Sequence, residues 1–188
     1  PSLLSCTLLE PTFYCTLCAQ MAVGPIAEFQ SQLPLWLAAQ GMTSSRLSLG
    51  VTGWHCGVLL SVLVAGALFD KWPQPWRRGL VLAVPLAINA IVFLRAGTMP
   101  AGEQWPIAAS FVLGATCAPV NYLSASTWTM LHVPPAFMPT VASIVDLGGY
   151  VGTLGVLQLQ NTAPAAESGG DQTKYLMRLL GVSAVLCS

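Results

Sequence analysis

Long apolar stretches separated by short polar segments form the dominant pattern of this chain. When the chain is divided at its charges, prolines and polar clusters, six stretches remain, each about as long as a membrane-spanning helix, which needs ~20 mostly apolar residues. In hydrocarbon, backbone polar groups must be satisfied within a helix or a closed barrel, and these stretches lack the alternation of barrel strands. We therefore predict a single all-α bundle, a polytopic membrane protein. The predicted spans are residues 12–39, 47–69, 79–94, 104–131, 139–160 and 173–188.

The connections between these spans are polar and rich in turn-forming residues. If every span crosses the bilayer, alternate connections lie on the same side of it. Lys71, Arg77 and Arg78 are packed into one short connection, and cytoplasmic loops carry an excess of Lys and Arg. We therefore predict that residues 70–78 face the cytoplasm and that residues 162–172 lie on the opposite side.

The composition supports helices in lipid and excludes two other classes of protein. Of 188 residues, 54% are hydrophobic and 7% are charged, whereas soluble domains carry about 25% charged residues. So few charges cannot cover the surface of a soluble globule. The net charge of zero offers no basic face to nucleic acid, and disorder needs the reverse composition. Because the chain starts at Pro1 and stops inside an apolar run, we expect a fragment of a longer protein.

Cysteine and histidine positions argue against metal sites and catalysis. Only Cys15 and Cys18 have the spacing of zinc ligands, and no second pair accompanies them. His55 and His132 fall on different predicted spans, without the acid or metal spacing that a catalytic set needs. We predict no cofactor, no metal and no enzymatic activity.

The connection between the second and third spans carries a distinctive arrangement of charges. Gly66 is followed by Asp70 and Lys71, and then by the basic pair Arg77 and Arg78. A carboxylate at a cytoplasmic helix end accepts hydrogen bonds from arginines and helix N-termini, and such a latch can be made and broken as two helical groups rock. The alternative is that the acid marks the water boundary and the basic pair anchors the loop to anionic lipid.

Four polar residues inside the spans are candidates for a central cavity. Glu28 follows a Gly-Pro pair at 24–25, where we expect a break in the first helix that combines free backbone groups with a carboxylate, as at transporter midplane sites. Asp146 lies in the middle of the fifth span, and Asn121 and Tyr122 lie in the fourth. For Asp146, Asn121 and Tyr122 the alternative is a hydrogen bond between helices.

The fifth span is rich in glycine, at 148, 149, 152 and 155. Small residues at such spacing allow two helix backbones to approach closely in lipid, where no hydrophobic effect drives helices together. We therefore predict that the fifth span is a packing helix rather than a lipid-facing one.

Three stretches of the sequence carry a resemblance to a known family. The pattern from Gly66 to Arg78 resembles the signature of the major facilitator superfamily between the second and third helices of a six-helix half. Leu33–Leu37 and Val141–Gly152 look like the C-terminal half of the sugar-phosphate exchangers, the glucose-6-phosphate transporter-like branch of the organophosphate:phosphate antiporters. The resemblance implies half of a carrier that rocks against a missing N-terminal half and exchanges a sugar phosphate for inorganic phosphate. It also favours the endoplasmic reticulum or another endomembrane.

One departure from that branch concerns the charge of the solute. Its members hold phosphate with basic residues near the cavity, whereas residues 18–35 contain no Lys, Arg or His and carry Glu28 instead. A buried carboxylate repels phosphate and suits a proton or a cation, so we expect phosphate specificity to reside in the missing half or to be lost. Two alternatives stay open: a non-transporting scaffold or sensor and, less favoured, a membrane-embedded enzyme.

Overall fold

The chain folds into a bundle of long helices. A computed structural model describes residues 10–72, 74–96, 104–162 and 176–182; 91% of these residues are helical and none lies in a strand, which confirms the all-α prediction for this part of the chain. A short helical segment covers residues 176–182, and the rest of the predicted sixth span lies outside the described residues. The long helices are α1 (Pro11–Ala39), α2 (Ser44–Lys71), α3 (Pro75–Ala96), α4 (Trp105–His132) and α5 (Met138–Thr162).

Four of these helices have the length and apolar character of membrane spans. They are α2, α3 from Trp76 onward, α4, and α5 as far as Leu159, and they indicate a multi-pass membrane protein. Helix α1 is equally long but is not one of the four, since it carries Glu28 and several glutamines. One side of α1 is buried in the bundle, at Phe29 and Leu37 among others, whereas Leu35 is 66% exposed. That α1 crosses the membrane stays a prediction.

Helix α1 differs from its sequence-based expectation at residues 24–25. We expected a break there, but the helix continues through both Pro25 and Pro34. Proline at 25 has no N–H to donate to the Met21 carbonyl, and membrane helices tolerate this where a neighbouring helix compensates. Gly152 of α5 lies against the Met21 carbonyl oxygen so closely that a Cβ atom on Gly152 would overlap it. The α5 backbone thus packs directly against the turn of α1 that Pro25 weakens.

Glycines set two close helix crossings. In the α1–α5 crossing, a Cβ atom on Gly24 would overlap the Gly149 carbonyl. In the α2–α4 crossing, a Cβ atom on Gly57 or Gly114 would overlap backbone atoms of the opposite helix. Because lipid tails are as apolar as the side chains, helices in lipid associate through such close van der Waals contact. The glycine face of α5 packs against another helix, as predicted for the fifth span. Leu147 and other large apolar side chains elsewhere on α5 are exposed.

An aromatic cluster joins α1, α2 and α3 in the core. The ring of Phe29 lies 6.1 Å from that of Trp36, 6.0 Å from that of Trp54 and 5.2 Å from that of Phe93, measured between centroids. All four side chains are almost completely buried. Each such aromatic pair contributes about 0.5–1.5 kcal/mol beyond the burial of area, so Phe29 anchors the middle of α1 to two neighbouring helices.

Two glycines of α5 provide a matched test of the α1–α5 crossing. We expect Gly152→Ala to destabilise the purified chain by about 1–3 kcal/mol, because the added methyl group collides with backbone that cannot move independently. Gly155→Ala is the control, since its Cβ atom would meet nothing within 4 Å and alanine favours a helix by up to about 1 kcal/mol. Thermal unfolding in detergent measures both. Equal melting temperatures for the two variants would contradict the crossing.

Candidate functional site

A polar cavity of about 400 Å³ opens between α1, α4 and α5. All four residues that the sequence singles out for a cavity line it: Glu28 from α1, Asn121 and Tyr122 from α4, and Asp146 from α5. The three helices thus bring to one place polar groups that lie far apart along the chain. The cavity is within the range of about 300–1,000 Å³ that small-molecule sites occupy.

Other polar residues of the cavity escaped the sequence analysis. Gln20, Ser126, Tyr150 and Thr153 also line it. Their signal is helical spacing from the predicted residues: Tyr150 is one turn and Thr153 two turns beyond Asp146, which places all three on one face of α5. The same spacing places Gln20 two turns before Glu28.

The glycine crossing builds the floor of this cavity. Gly24 and Gly149, which touch across the α1–α5 contact, are themselves lining residues. Thr153 donates its hydroxyl to the Gly149 carbonyl at 3.0 Å, and Ser126 donates to the Tyr122 carbonyl at 2.6 Å. These two hydroxyls therefore satisfy backbone carbonyls of their own helices. The carboxylates, the phenols and the Asn121 amide are left as the groups most available to a solute.

The charge of the lining is negative. Glu28 is half-buried and Asp146 is exposed, and the lining contains no Lys, Arg or His within the described ranges. Neither carboxylate has an ion-pair partner in that part of the chain. A carboxylate is costly in hydrocarbon and faces a bundle interior or water. The open side of this cavity therefore faces water or another protein surface, not lipid tails.

The connection between α2 and α3 is organised by Arg78. Its Nε donates to the carbonyl oxygens of Trp72 at 3.0 Å and Phe69 at 3.3 Å, and its guanidinium lies 4.9 Å from the Phe69 ring centroid. These carbonyls belong to the last turn of α2 and to the residue after it, where helices lack internal donors. A positive charge also complements the negative end of the helix dipole. Arg78 thus caps α2 and fixes the turn into α3.

The other members of the predicted latch are not joined to one another. Asp70 and Lys71 are exposed, and the Asp70 carboxylate accepts no hydrogen bond from any residue whose position is described. The Arg77 guanidinium lies 5.1 Å from the Trp76 ring centroid. A Cβ atom on Gly66 would meet nothing within 4 Å, so packing inside this bundle does not require glycine there. A latch at this site stays a prediction, and its contacts would have to come from outside the described bundle.

The histidines lie away from the cavity. His55 is exposed on α2, and His132, at the end of α4, stacks on Trp128 with ring centroids 5.3 Å apart. Among residues 10–72, 74–96, 104–162 and 176–182, no cluster of three or more His, Cys, Asp or Glu side chains is arranged to hold a metal ion.

Comparison with known proteins adds no relative: no family model, no curated protein and no solved structure matches the chain. The function therefore has to be argued from the chemistry of the site.

The capping role of Arg78 is tested by comparing two adjacent arginines. We expect Arg78→Ala to lower the stability of the purified chain by about 1 kcal/mol, because two carbonyls at the end of α2 lose a charged donor. Arg77→Ala is the control, since it removes the same charge from the preceding position. Among the described residues, no carbonyl accepts a hydrogen bond from the Arg77 side chain. The effect of this variant on the melting temperature should be smaller. A larger effect for Arg77→Ala would refute the cap.

Proposed function

We propose that this chain is part of a secondary transporter of a small organic solute that works by alternating access. The cavity between α1, α4 and α5 is the proposed site for the solute and any coupling ion. The observation that carries the proposal is the convergence of Glu28, Asn121, Tyr122 and Asp146 on one cavity in a bundle that has four helices apolar enough to span a membrane. Carriers bind their substrates at such polar sites between helices near the bilayer midplane.

A second helical bundle is proposed to cover the open side of the cavity. Tyr122 and Tyr150 are 57% and 62% exposed, and the exposed Asp146 lies on the same side, so this face is too polar for lipid. In a carrier of two halves, rocking of one half against the other opens such a shared cavity to each side of the membrane in turn. The resemblance to the major facilitator superfamily supports the same arrangement, with this chain as the C-terminal half.

Sugar-phosphate exchange is the substrate class that the resemblance supports, and the cavity adds a condition to it. A phosphate group needs basic counter-charges, and the described lining of this cavity contains two acids and no base. Those counter-charges must then come from the second bundle. Glu28 and Asp146 suit a proton or a cation that moves with the solute. Placement in the endoplasmic reticulum or another endomembrane follows the same resemblance.

Neutralising the cavity carboxylates tests the transport site. In vesicles containing the assembled carrier, we expect Glu28→Gln and Asp146→Asn each to reduce solute uptake tenfold or more, a loss on the order of 1.4 kcal/mol, because the cation partner of the solute loses its counter-charge. Glu10→Gln is the control, since Glu10 is an exposed acid just before α1 and outside the cavity. Labelled phosphate and sugar phosphate are the first solutes to measure.

Two outcomes would point to another function. Normal uptake by both cavity variants would exclude this cavity as the transport site. Absence of binding and exchange for every solute, in vesicles where the carrier is correctly folded, would favour the non-transporting scaffold or sensor.

The latch is tested separately at Asp70. We expect Asp70→Asn to lower the maximal transport rate several-fold and to leave the apparent solute affinity unchanged, because the carboxylate would stabilise one conformation without touching the solute. Glu10→Gln is the control, because it neutralises an exposed acid outside the latch and shows whether the loss of any exposed carboxylate has the same effect. A loss of affinity at normal rate would count against the latch.

A further inference from the structure

A second cavity lies on the outer side of the bundle, between α2, α3 and α4. Its volume is also about 400 Å³, but its walls are almost entirely apolar. Val64 and Leu68 of α2 line it together with Leu80 and Val84 of α3, and Pro119 of α4 also lines it. Ser61 is a polar lining residue, and its hydroxyl already donates to the Val58 carbonyl at 3.0 Å. The cavity therefore offers a solute little but apolar contact, and we call it the outer groove.

The outer groove ends at the basic turn between α2 and α3. Trp72, the first residue after α2, lines that end. On α3, Arg77 precedes the groove residues Leu80 and Val84 by three and seven positions, the spacing that puts side chains on one helix face. A positive charge thus stands at the end of the apolar stripe on the α3 wall.

Two basic side chains at this end are available to an anion. Lys71 is exposed and Arg77 is half-buried, and neither forms an ion pair with a carboxylate in the described part of the chain. Arg78, by contrast, is held by the carbonyls of α2. Trp76 is 63% exposed, as expected of an aromatic residue at the level of lipid headgroups.

We propose that the outer groove and the basic turn form a binding site for one anionic phospholipid. An acyl chain lies in the groove, and the phosphate contacts Arg77 and Lys71. Lipid tails are as apolar as the groove walls. The groove alone therefore does not favour one lipid over another, because any acyl chain can occupy it. The groove fixes the position of the lipid, and the two basic residues select its charge. This site needs only membrane-spanning helices and is independent of the transport proposal.

Lipid selectivity of the purified chain tests the site. We would reconstitute the chain in nanodiscs that contain phosphatidylglycerol and phosphatidylcholine, and count retained lipids by native mass spectrometry. The wild-type chain should retain one phosphatidylglycerol preferentially. Arg77→Ala should weaken this preference about fivefold, and the double variant with Lys71→Ala on the order of twentyfold, the loss expected from one and two basic contacts. Arg95→Ala is the control, because it removes a charge from the opposite end of α3.

Variants that fill the groove distinguish a lipid whose acyl chain is bound there from a lipid that is held only by its headgroup charge. Val84→Trp should abolish retention of phosphatidylglycerol, whereas Ile91→Trp should not, since Ile91 is exposed on the same helix and does not line the groove. Glycerol phosphate, which has the headgroup charge but no tail, should not compete. Retention that survives Val84→Trp, or that glycerol phosphate displaces, would overturn the proposal in favour of headgroup attraction alone. Equal retention of both lipids by the wild-type chain would also overturn it.

Discussion

The close contact between the backbones of α1 and α5 is the constraint on which the rest of the structure depends. Gly24 meets Gly149, and Gly152 meets the carbonyl that Pro25 leaves without a donor. Because α1 is continuous through this proline, Glu28 is carried one turn further along the same face. The crossing therefore both closes the floor of the cavity and aims its first carboxylate into it. Larger side chains at these glycines would separate the helices and open the site.

Placement of the few charges divides the bundle into two faces. The acids Glu28 and Asp146 lie in the cavity between α1, α4 and α5, whereas Lys71 and Arg77 lie beside an apolar groove at the turn between α2 and α3. A charge in an apolar environment is stable only beside water, a partner or a counter-charge. The acidic face therefore requires an aqueous or protein neighbour, and the basic turn belongs at the level of the lipid headgroups. Lipid suits the apolar groove beside the basic turn but not the acidic face, and water suits the acidic face but not the apolar groove.

The helices and the members of the cavity were largely predictable from sequence, whereas the contacts between helices were not. Apolar length marks a helix directly, and a carboxylate in an apolar stretch is conspicuous, so Glu28 and Asp146 could be selected without a structure. Gln20 and Thr153 are less conspicuous, because glutamine and threonine are common in membrane helices. Their helical spacing from Glu28 and Asp146 marks them only once those two carboxylates are placed in the cavity. The expected break at Pro25 was wrong for a similar reason: the backbone that packs against this turn of α1 belongs to Gly152, more than a hundred residues away.

Helix α4 connects the two faces of the bundle. Pro119 lines the outer groove, while Asn121 and Tyr122, two and three residues later in the same helix, line the polar cavity. Proline at 119 removes one hydrogen bond inside α4, so this segment bends more readily than a regular helix. Rigid packing at the Gly57 and Gly114 crossing holds the preceding turns against α2. A change in the direction of α4 beyond Pro119 would therefore move Asn121 and Tyr122 in the polar cavity, whereas Ala115, the other α4 residue of the outer groove, stays packed against Gly57 of α2.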